Sequence, residues 1–248
     1  HVPRTILFDP GDPDWVPLWN PLRLSPGQGI SRTADDLVGG IKSIVYGWGD
    51  RLEHLLRHGI YALLHLPDPT LLDLSDLLRR GSPESDRLRR AIVASLENPT
   101  AHSFWTQDFD RYDRAAFDPP KHKLSKLLLA GTPSLMLSQP QNRIDLREIM
   151  DGGQALLVDL STVGSETREI LGCFLLSLLH TVALGRSALP REARRPFHVY
   201  CDEAHRFVSQ DLEDLLVETR KFAVDLTLAH QFLRQFPNAE QNALAELL

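Results

Sequence analysis

The period of apolar positions along the chain changes twice. Thr5 to Phe8 is a short apolar run that reads as a strand, and the DPGDPDW segment from Asp9 to Trp15 is too rich in turn formers to continue it. A loop through Asn20, Pro21 and Leu22 follows. From Ser31 to about Gly131 the period becomes helical. Thr33 is the expected N-cap before Asp35 and Asp36, and Leu52, Leu55, Leu56, Ile60 and Leu63 recur at the spacing of one buried helix face. Prolines punctuate this block: Pro67 and Pro69 before a helix over Leu71–Arg80, Pro83 before Glu84–Leu96, Pro99 before Phe104 and Trp105, and Pro119 with Pro120 before Lys123–Leu129.

After Pro140 the texture changes again. Arg143–Met150 reads as a short helix, Gly152 and Gly153 as a turn, and Ala155–Asp159 as a strand with no polar face, the kind found in covered parallel sheets. A helix over Glu166–Leu184 and a loop at Pro190 lead to a second strand, where Phe197, Val199 and Cys201 alternate with His198 and Tyr200 and two acids, Asp202 and Glu203, close the run. A helix over Asp211–Phe222 and a last strand near Asp225–Ala229 complete the order. This alternation predicts an α/β fold with a parallel sheet and right-handed crossovers, which the strand at 5–8 joins if the helical block is an insertion.

With 248 residues, 42% of them apolar and 24% charged, the chain can bury one large core or a core plus an insertion. Its two cysteines, Cys173 and Cys201, form no metal-ligand pattern, so they are expected to be buried and inert in a reducing compartment. A formal charge of −6 argues against a generally basic coat and leaves room for a local basic patch. The longest uncharged stretch, Ile170 to Gly185, falls short of the roughly 20 residues that span a bilayer and reads as a buried helix. The chain opens on His1 and stops within a helix-like run, AEQNALAELL, as expected of a piece of something longer.

Candidate chemistry gathers near the end of the chain. An adjacent acid pair at the carboxyl end of a strand suits phosphoryl transfer, one acid holding magnesium and the next orienting water; capping of the following helix is the alternative. His230 and Gln231 end the next strand at the same edge, where an amide can sense a phosphate or cap a turn. Arg220 and Lys221 end the intervening helix, either completing its dipole or contacting phosphate. No GxxxxGK(S/T) occurs, and Gly39-Gly40 and Gly152-Gly153 lack the lysine and hydroxyl of a phosphate loop. His54, His58 and His65 share a helix without the glutamate of a zinc-protease motif. Arg79, Arg80, Arg87, Arg89 and Arg90 form either a solvated face or phosphate contacts.

Three segments in order, VYCDEAHRF (199–207), ETRKF (218–222) and LAHQFLRQ (228–235), resemble the HerA/FtsK branch of RecA-like motors, closest to the coupling ATPases of type IV secretion and conjugation. FDPGD, WNPL and NRIDLREIMDGGQALLVDLS (142–161) look like that family too, so the resemblance covers nearly the whole chain. It implies a RecA-like P-loop NTPase core with a mainly parallel sheet over residues 1–30 and 132–248, incomplete at both ends, interrupted by an all-helical insertion domain over 31–131. It implies ATP and Mg2+ as cofactors, with Asp202 the Walker B magnesium acid, Glu203 the catalytic base, Gln231 the phosphate sensor, and Arg220 acting in trans on a neighbour's nucleotide. DNA as substrate, a homo-hexameric ring, membrane or secretion-channel partners through regions outside this chain, and a cytoplasmic place at the inner face of the cell membrane follow from the same resemblance. In the family the Walker A loop precedes FDPGD, upstream of this chain's first residue. Asp202 to His205 also spells the DEAH box of superfamily 2 helicases, although AHQ stands where such a helicase has a Ser-Ala-Thr-type motif. A non-catalytic motor-like assembly module is the third reading; a GxxxxGK(S/T) upstream in the parent chain favours the motor, and its absence there the module.

Overall fold

The structure, a computed structural model, describes residues 4–24, 28–44, 48–207 and 210–231. The closing AEQNALAELL run and residues 232–235 of the LAHQFLRQ segment lie outside the described residues.

All described strands pair in parallel. Strand β1 (Thr5–Phe8) runs beside β2 (Ala155–Val158), with Thr5 opposite Ala155 and Phe8 opposite Val158. Strand β3 (Phe197–Cys201) runs beside β4 (Val224–Leu228), with Phe197 opposite Val224 and Cys201 opposite Leu228. The sequence suggested one sheet, but among the described residues these are two separate two-stranded sheets. Between β2 and β3 lies a cavity of about 390 Å³, walled by Val158 and Leu160 on one side and by Val199 and Tyr200 on the other. No described strand fills it, so the ladder stays divided.

Between β1 and β2 in sequence come α1 (Ile30–Ile44), α2 (Asp50–Leu63), α3 (Leu71–Leu77), α4 (Pro83–Ser95), α5 (Pro99–Ser103), α6 (Asp118–Leu128) and α7 (Thr132–Leu137). At α4 and α5 a side-chain cap precedes the proline: Ser82 accepts the Ser85 N–H before Pro83, and Asn98 accepts the Thr100 and Ala101 N–H groups before Pro99, whereas Pro119 and Pro120 lie in the first turn of α6, which has no side-chain cap. Thr70 and Asp73 form a reciprocal capping box on α3. Thr33, expected as a cap, is instead buried inside α1, because its N–H already donates to the Gly29 carbonyl at 3.0 Å. The chain after α5 tightens through a π-helical turn over Phe104–Asp108 that packs Phe104, Trp105, Phe109, Tyr112 and Phe117 together, with His58 stacked on Phe104 at 3.9 Å.

Helix α8 (Leu146–Gly152) begins later than Arg143 because the Asp145 carboxylate accepts the N–H groups of Arg147 and Glu148, and it ends at Gly153, whose φ of +67° is left-handed. Helix α9 (Ser165–Gly185) is apolar all round and lies between α1 and α10 (Gln210–Glu218). By length and composition α9 could cross a membrane, but 83% of its apolar window is buried within the protein, the position of a core helix. The helix expected over Asp211–Phe222 divides: α10 ends at Glu218, and a tighter turn over Thr219–Phe222 leads into β4.

One fully buried cation ties these pieces together. Arg186 donates from Nε to Asp151 Oδ1 at 2.8 Å, from Nη2 to the Met150 carbonyl at 2.9 Å, and from Nη1 to the carbonyls of Arg195 at 2.8 Å and Phe222 at 3.1 Å. The end of α8, the entry to β3 and the turn before β4 thus share one guanidinium. A buried charge is tolerated here because a carboxylate and several carbonyls surround it.

Candidate active site at the carboxyl edge of β3 and β4

Phe197, Val199 and Cys201 of β3 are half-buried against the core while His198 and Tyr200 are exposed, the alternation read from the sequence. The pairing continues past the strands: the Ala229 N–H donates to the Cys201 carbonyl at 2.9 Å, and the Ala204 N–H to the Ala229 carbonyl at 3.0 Å. This lacing sets Asp202-Glu203 beside His230-Gln231. Gln231 Nε2 donates to Glu203 Oε1 at 2.9 Å, and His205 Nδ1 lies 3.4 Å from Glu203 Oε2. The Glu203 N–H donates to Asp202 Oδ1 at 2.9 Å.

Glu203 has φ +50°, a left-handed conformation that costs a non-glycine residue on the order of 1 kcal/mol and clusters at functional sites. The backbone is held there from both sides. The Arg206 N–H donates to the Glu203 carbonyl at 2.9 Å, and the turn Ala204–Phe207 packs the Phe207 ring against Gly172 of α9. A Cβ at position 172 would sit 2.3 Å from Phe207 Cε1, so only glycine admits that ring. Helix α10 starts at Gln210, beyond this turn, so the acids do not cap it.

Asp202, which is exposed, and half-buried Glu203 open onto the cavity between the sheets together with Arg168 and Arg206. Arg168 anchors the loop after β2 by donating to the carbonyls of Leu160 at 2.8 Å, Ser161 at 3.0 Å and Val163 at 3.2 Å. Two more acids follow strand ends. Asp9 after β1 accepts from the Gly11 N–H at 3.0 Å and the Thr162 hydroxyl at 2.9 Å. Asp159 after β2 accepts from the hydroxyl and N–H of Ser161, which hold its carboxyl below the usual range. Cys173 is fully buried and Cys201 half-buried; burial, then the neighbouring Asp202 charge, push the Cys201 thiol up to about 11. It is therefore no nucleophile near neutral pH.

Asp202 and Glu203 supply two adjacent carboxylates, hard oxygen donors of the kind magnesium takes one or two of; among the described residues no group of three His, Cys, Asp or Glu side chains is placed to hold a metal ion. The chain does not fit a whole nucleotide site, since it carries no GxxxxGK(S/T) to cradle phosphates.

Arg220 and Lys221 are not brought to this edge. They are exposed on the turn before β4, at the opposite end of a five-residue strand that spans roughly 16 Å. Lys221 Nζ lies 5.2 Å over the Phe222 ring, and its carbonyl accepts from Arg194 Nη1 at 2.6 Å. Arg220 has no ion-pair partner among the described residues.

No protein-family model and no curated protein matches the chain. Solved structures do. The conjugative coupling protein TrwB in an unbound form matches with a TM-score of 0.57 at 16% identity, over 93% of this chain and 51% of that one. TrwB in complex with ADP and Mg2+ matches with a TM-score of 0.56 at 17% identity, over 93% and 53%. VirB4 of Thermoanaerobacter pseudethanolicus matches with a TM-score of 0.53 at 14% identity, over 93% and 58%. This is the fold of the conjugation and type IV secretion motor ATPases. The chain spans about half the length of the coupling protein it matches.

Within that coupling-protein fold, Asp202, Glu203 and Gln231 come together as the sequence implied. The sequence reading passed over Asp9, Asp159, Arg168 and Arg206. Asp9 and Asp159 each stand directly after an apolar strand, the same signal that singled out Asp202, so two of the four were within reach. The two arginines had no local signal.

Proposed function

We propose that this chain is part of an ATP-hydrolysing, DNA-translocating motor subunit of the conjugation and type IV secretion kind. Residues 1–30 and 132–248 belong to its RecA-like core, and 31–131 to a helical insertion domain. The observation that carries this reading is the 2.9 Å contact from the Gln231 amide to the left-handed Glu203 at the mouth of the inter-sheet cavity. A carboxylate fixed by an amide and pinned by its own backbone is oriented in advance, as a general base must be.

Asp202 is the residue that holds magnesium in this reading. When bound, the ion neutralises charge on phosphate oxygens. Glu203 accepts the proton of the attacking water, and Gln231 fixes the carboxylate and reports on the phosphate. Arg220, at the far end of β4, serves a neighbouring subunit's site in a homo-hexameric ring. Phosphate cradling comes from outside this chain. The subunit works in the cytoplasm at the inner face of the cell membrane, where segments beyond this chain meet membrane or channel partners.

The test is Glu203→Gln in the full-length parent, which keeps the shape and cannot take the proton. Hydrolysis is expected to fall at least ~10²-fold while bound ATP is retained, read by steady-state turnover and nucleotide retention. Near-normal turnover would remove Glu203 from the role of base.

A further inference from the structure

Away from the acid edge, one cleft in the helical segment concentrates cations. It encloses about 540 Å³ between the end of α3, the turn into α4 and the start of α6, and is lined by Arg79, Arg80, Arg114 and Lys121 with a single acid, Asp118. Four cations against one acid leave +3 in a chain whose formal charge is −6. A nearby groove of about 440 Å³ makes the contrast, because there Arg51 and Arg111 are matched by Asp108 and Asp113.

The charges of the first cleft are only partly balanced by neighbouring acids. Arg79 reaches Asp76 only at 3.6 Å, with 63% of its side chain exposed. Arg80 donates to the Tyr112 carbonyl, and its charged neighbour, Asp110, is already held by the Arg89 guanidinium. Arg114 has no ion-pair partner among the described residues. Lys121 alone has a full partner, Asp118 at 2.8 Å. The buried side chains of Leu78 and Phe117 back the cleft, and apolar backing strengthens electrostatic attraction at its mouth.

We propose that this cleft binds the phosphodiester backbone of nucleic acid. Its preference for an anion rests on its own charge; the choice of nucleic acid over an acidic protein rests on the motor function proposed above. Guanidinium forks meet phosphate oxygens in pairs, and an open groove with several cations suits a chain of phosphates. Contacts of this kind position the strand without reading its bases, so binding is indifferent to sequence.

The test uses the 248-residue chain and a fluorescently labelled single-stranded oligonucleotide of mixed sequence, followed by anisotropy over a salt series without nucleotide. Arg79→Gln with Arg114→Gln, both at exposed positions, is expected to weaken binding about tenfold near ~0.1 M salt and to lower the salt slope by ~1.4, about 0.7 for each phosphate that is no longer neutralised. Arg87→Gln with Arg90→Gln removes the same charge from exposed positions of α4 and should change affinity by less than about twofold. Circular dichroism checks that both variants stay folded.

Equal losses in the two variants would show that diffuse charge binds, and would overturn the cleft. So would the absence of oligonucleotide binding by the unaltered chain, or binding of polyglutamate that the Arg79/Arg114 variant abolishes while the oligonucleotide is ignored. The assay contains no ATP, so its failure leaves the Glu203→Gln result in the parent standing or falling separately.

Discussion

The helices from α2 to α6 and the two strand pairs treat their apolar side chains differently. In the helical segment Leu52, Leu55, Leu56 and Ile60 are at most 5% exposed, and the rings of Phe104, Trp105, Phe109 and Phe117 close on one another. On the strands, Leu7 and Leu157 stand opposite each other at 63% and 57% exposure, and Tyr200 is 77% exposed. The helical segment covers most of its large apolar side chains, whereas the strands bury Phe8 and Val224 on one face and leave Leu7, Leu157 and Tyr200 open on the other. Helices close their own cores from contacts near in sequence, whereas a parallel pair must be covered on both faces by elements that arrive from elsewhere. The acid pair, the left-handed Glu203 and the inter-sheet cavity all belong to the open region. The candidate site thus lies where the described residues leave surfaces uncovered.

The largest expected effect follows from that openness. If a neighbouring subunit completes the site, Arg220→Ala and Glu203→Gln subunits of the full-length parent, each inactive alone, regain ATPase activity when mixed, because a mixed ring contains interfaces with one sound half from each. Arginine fingers acting in trans contribute about 10³-fold or more, so recovery should stand well above background. Persistent inactivity at every mixing ratio in rings that still assemble would return Arg220 to its own subunit, as a cation at the end of its helix.

A leucine comparison measures the contrast directly. Leu56→Ala, in the closed helical core, should destabilise this chain by ~2–5 kcal/mol in denaturant unfolding. Leu157→Ala, on the uncovered strand face, should cost less than ~0.5 kcal/mol. A large penalty at Leu157 would mean that its face is covered in solution, by a second copy or by residues outside those described.

The smallest effect concerns pH and the helical segment alone. Burial, with the neighbouring His54 and Arg57 adding to it, lowers His58 from 6.5 to about 4. Its folded form resists protonation and its unfolded form accepts a proton near 6.5. Stability carried by neutral His58 is thus complete above pH 6.5 and is lost as pH falls toward 4. His58→Phe, which keeps a ring stacked on Phe104, should flatten the dependence of Tm on pH between those values. An unchanged slope would assign the acid sensitivity to another group.

Much of the site was legible because its signals are local. An alternating apolar run that ends in Asp202-Glu203, and a second run that ends in His230-Gln231, need only a period of two and a turn to be read. The capped, proline-marked helix starts were legible for the same reason, since Ser82 and Asn98 cap within three residues of themselves. Thr33 misled because a good cap residue one turn inside a helix looks the same in sequence as one at its start. The apolar pattern runs on to Phe222, but the helix tightens at Thr219 into a turn whose Phe222 carbonyl is bound by the distant Arg186.

The sequence by itself determined the strand and helix order, the parallel pairing implied by that order, and the residues that stand at strand ends. These follow from backbone periodicity, side-chain caps and turn chemistry, all of which act over a few residues. Only the tertiary structure decided that the strands split into two sheets, that Gln231 touches Glu203, that Arg220 lies a strand's length away, and that Arg186 is a buried hub. It alone gathered Arg79, Arg80, Arg114 and Lys121 around one cleft. Each of these joins residues far apart in the chain, and such contacts are selected by the packing of whole elements around α9, which no local pattern records.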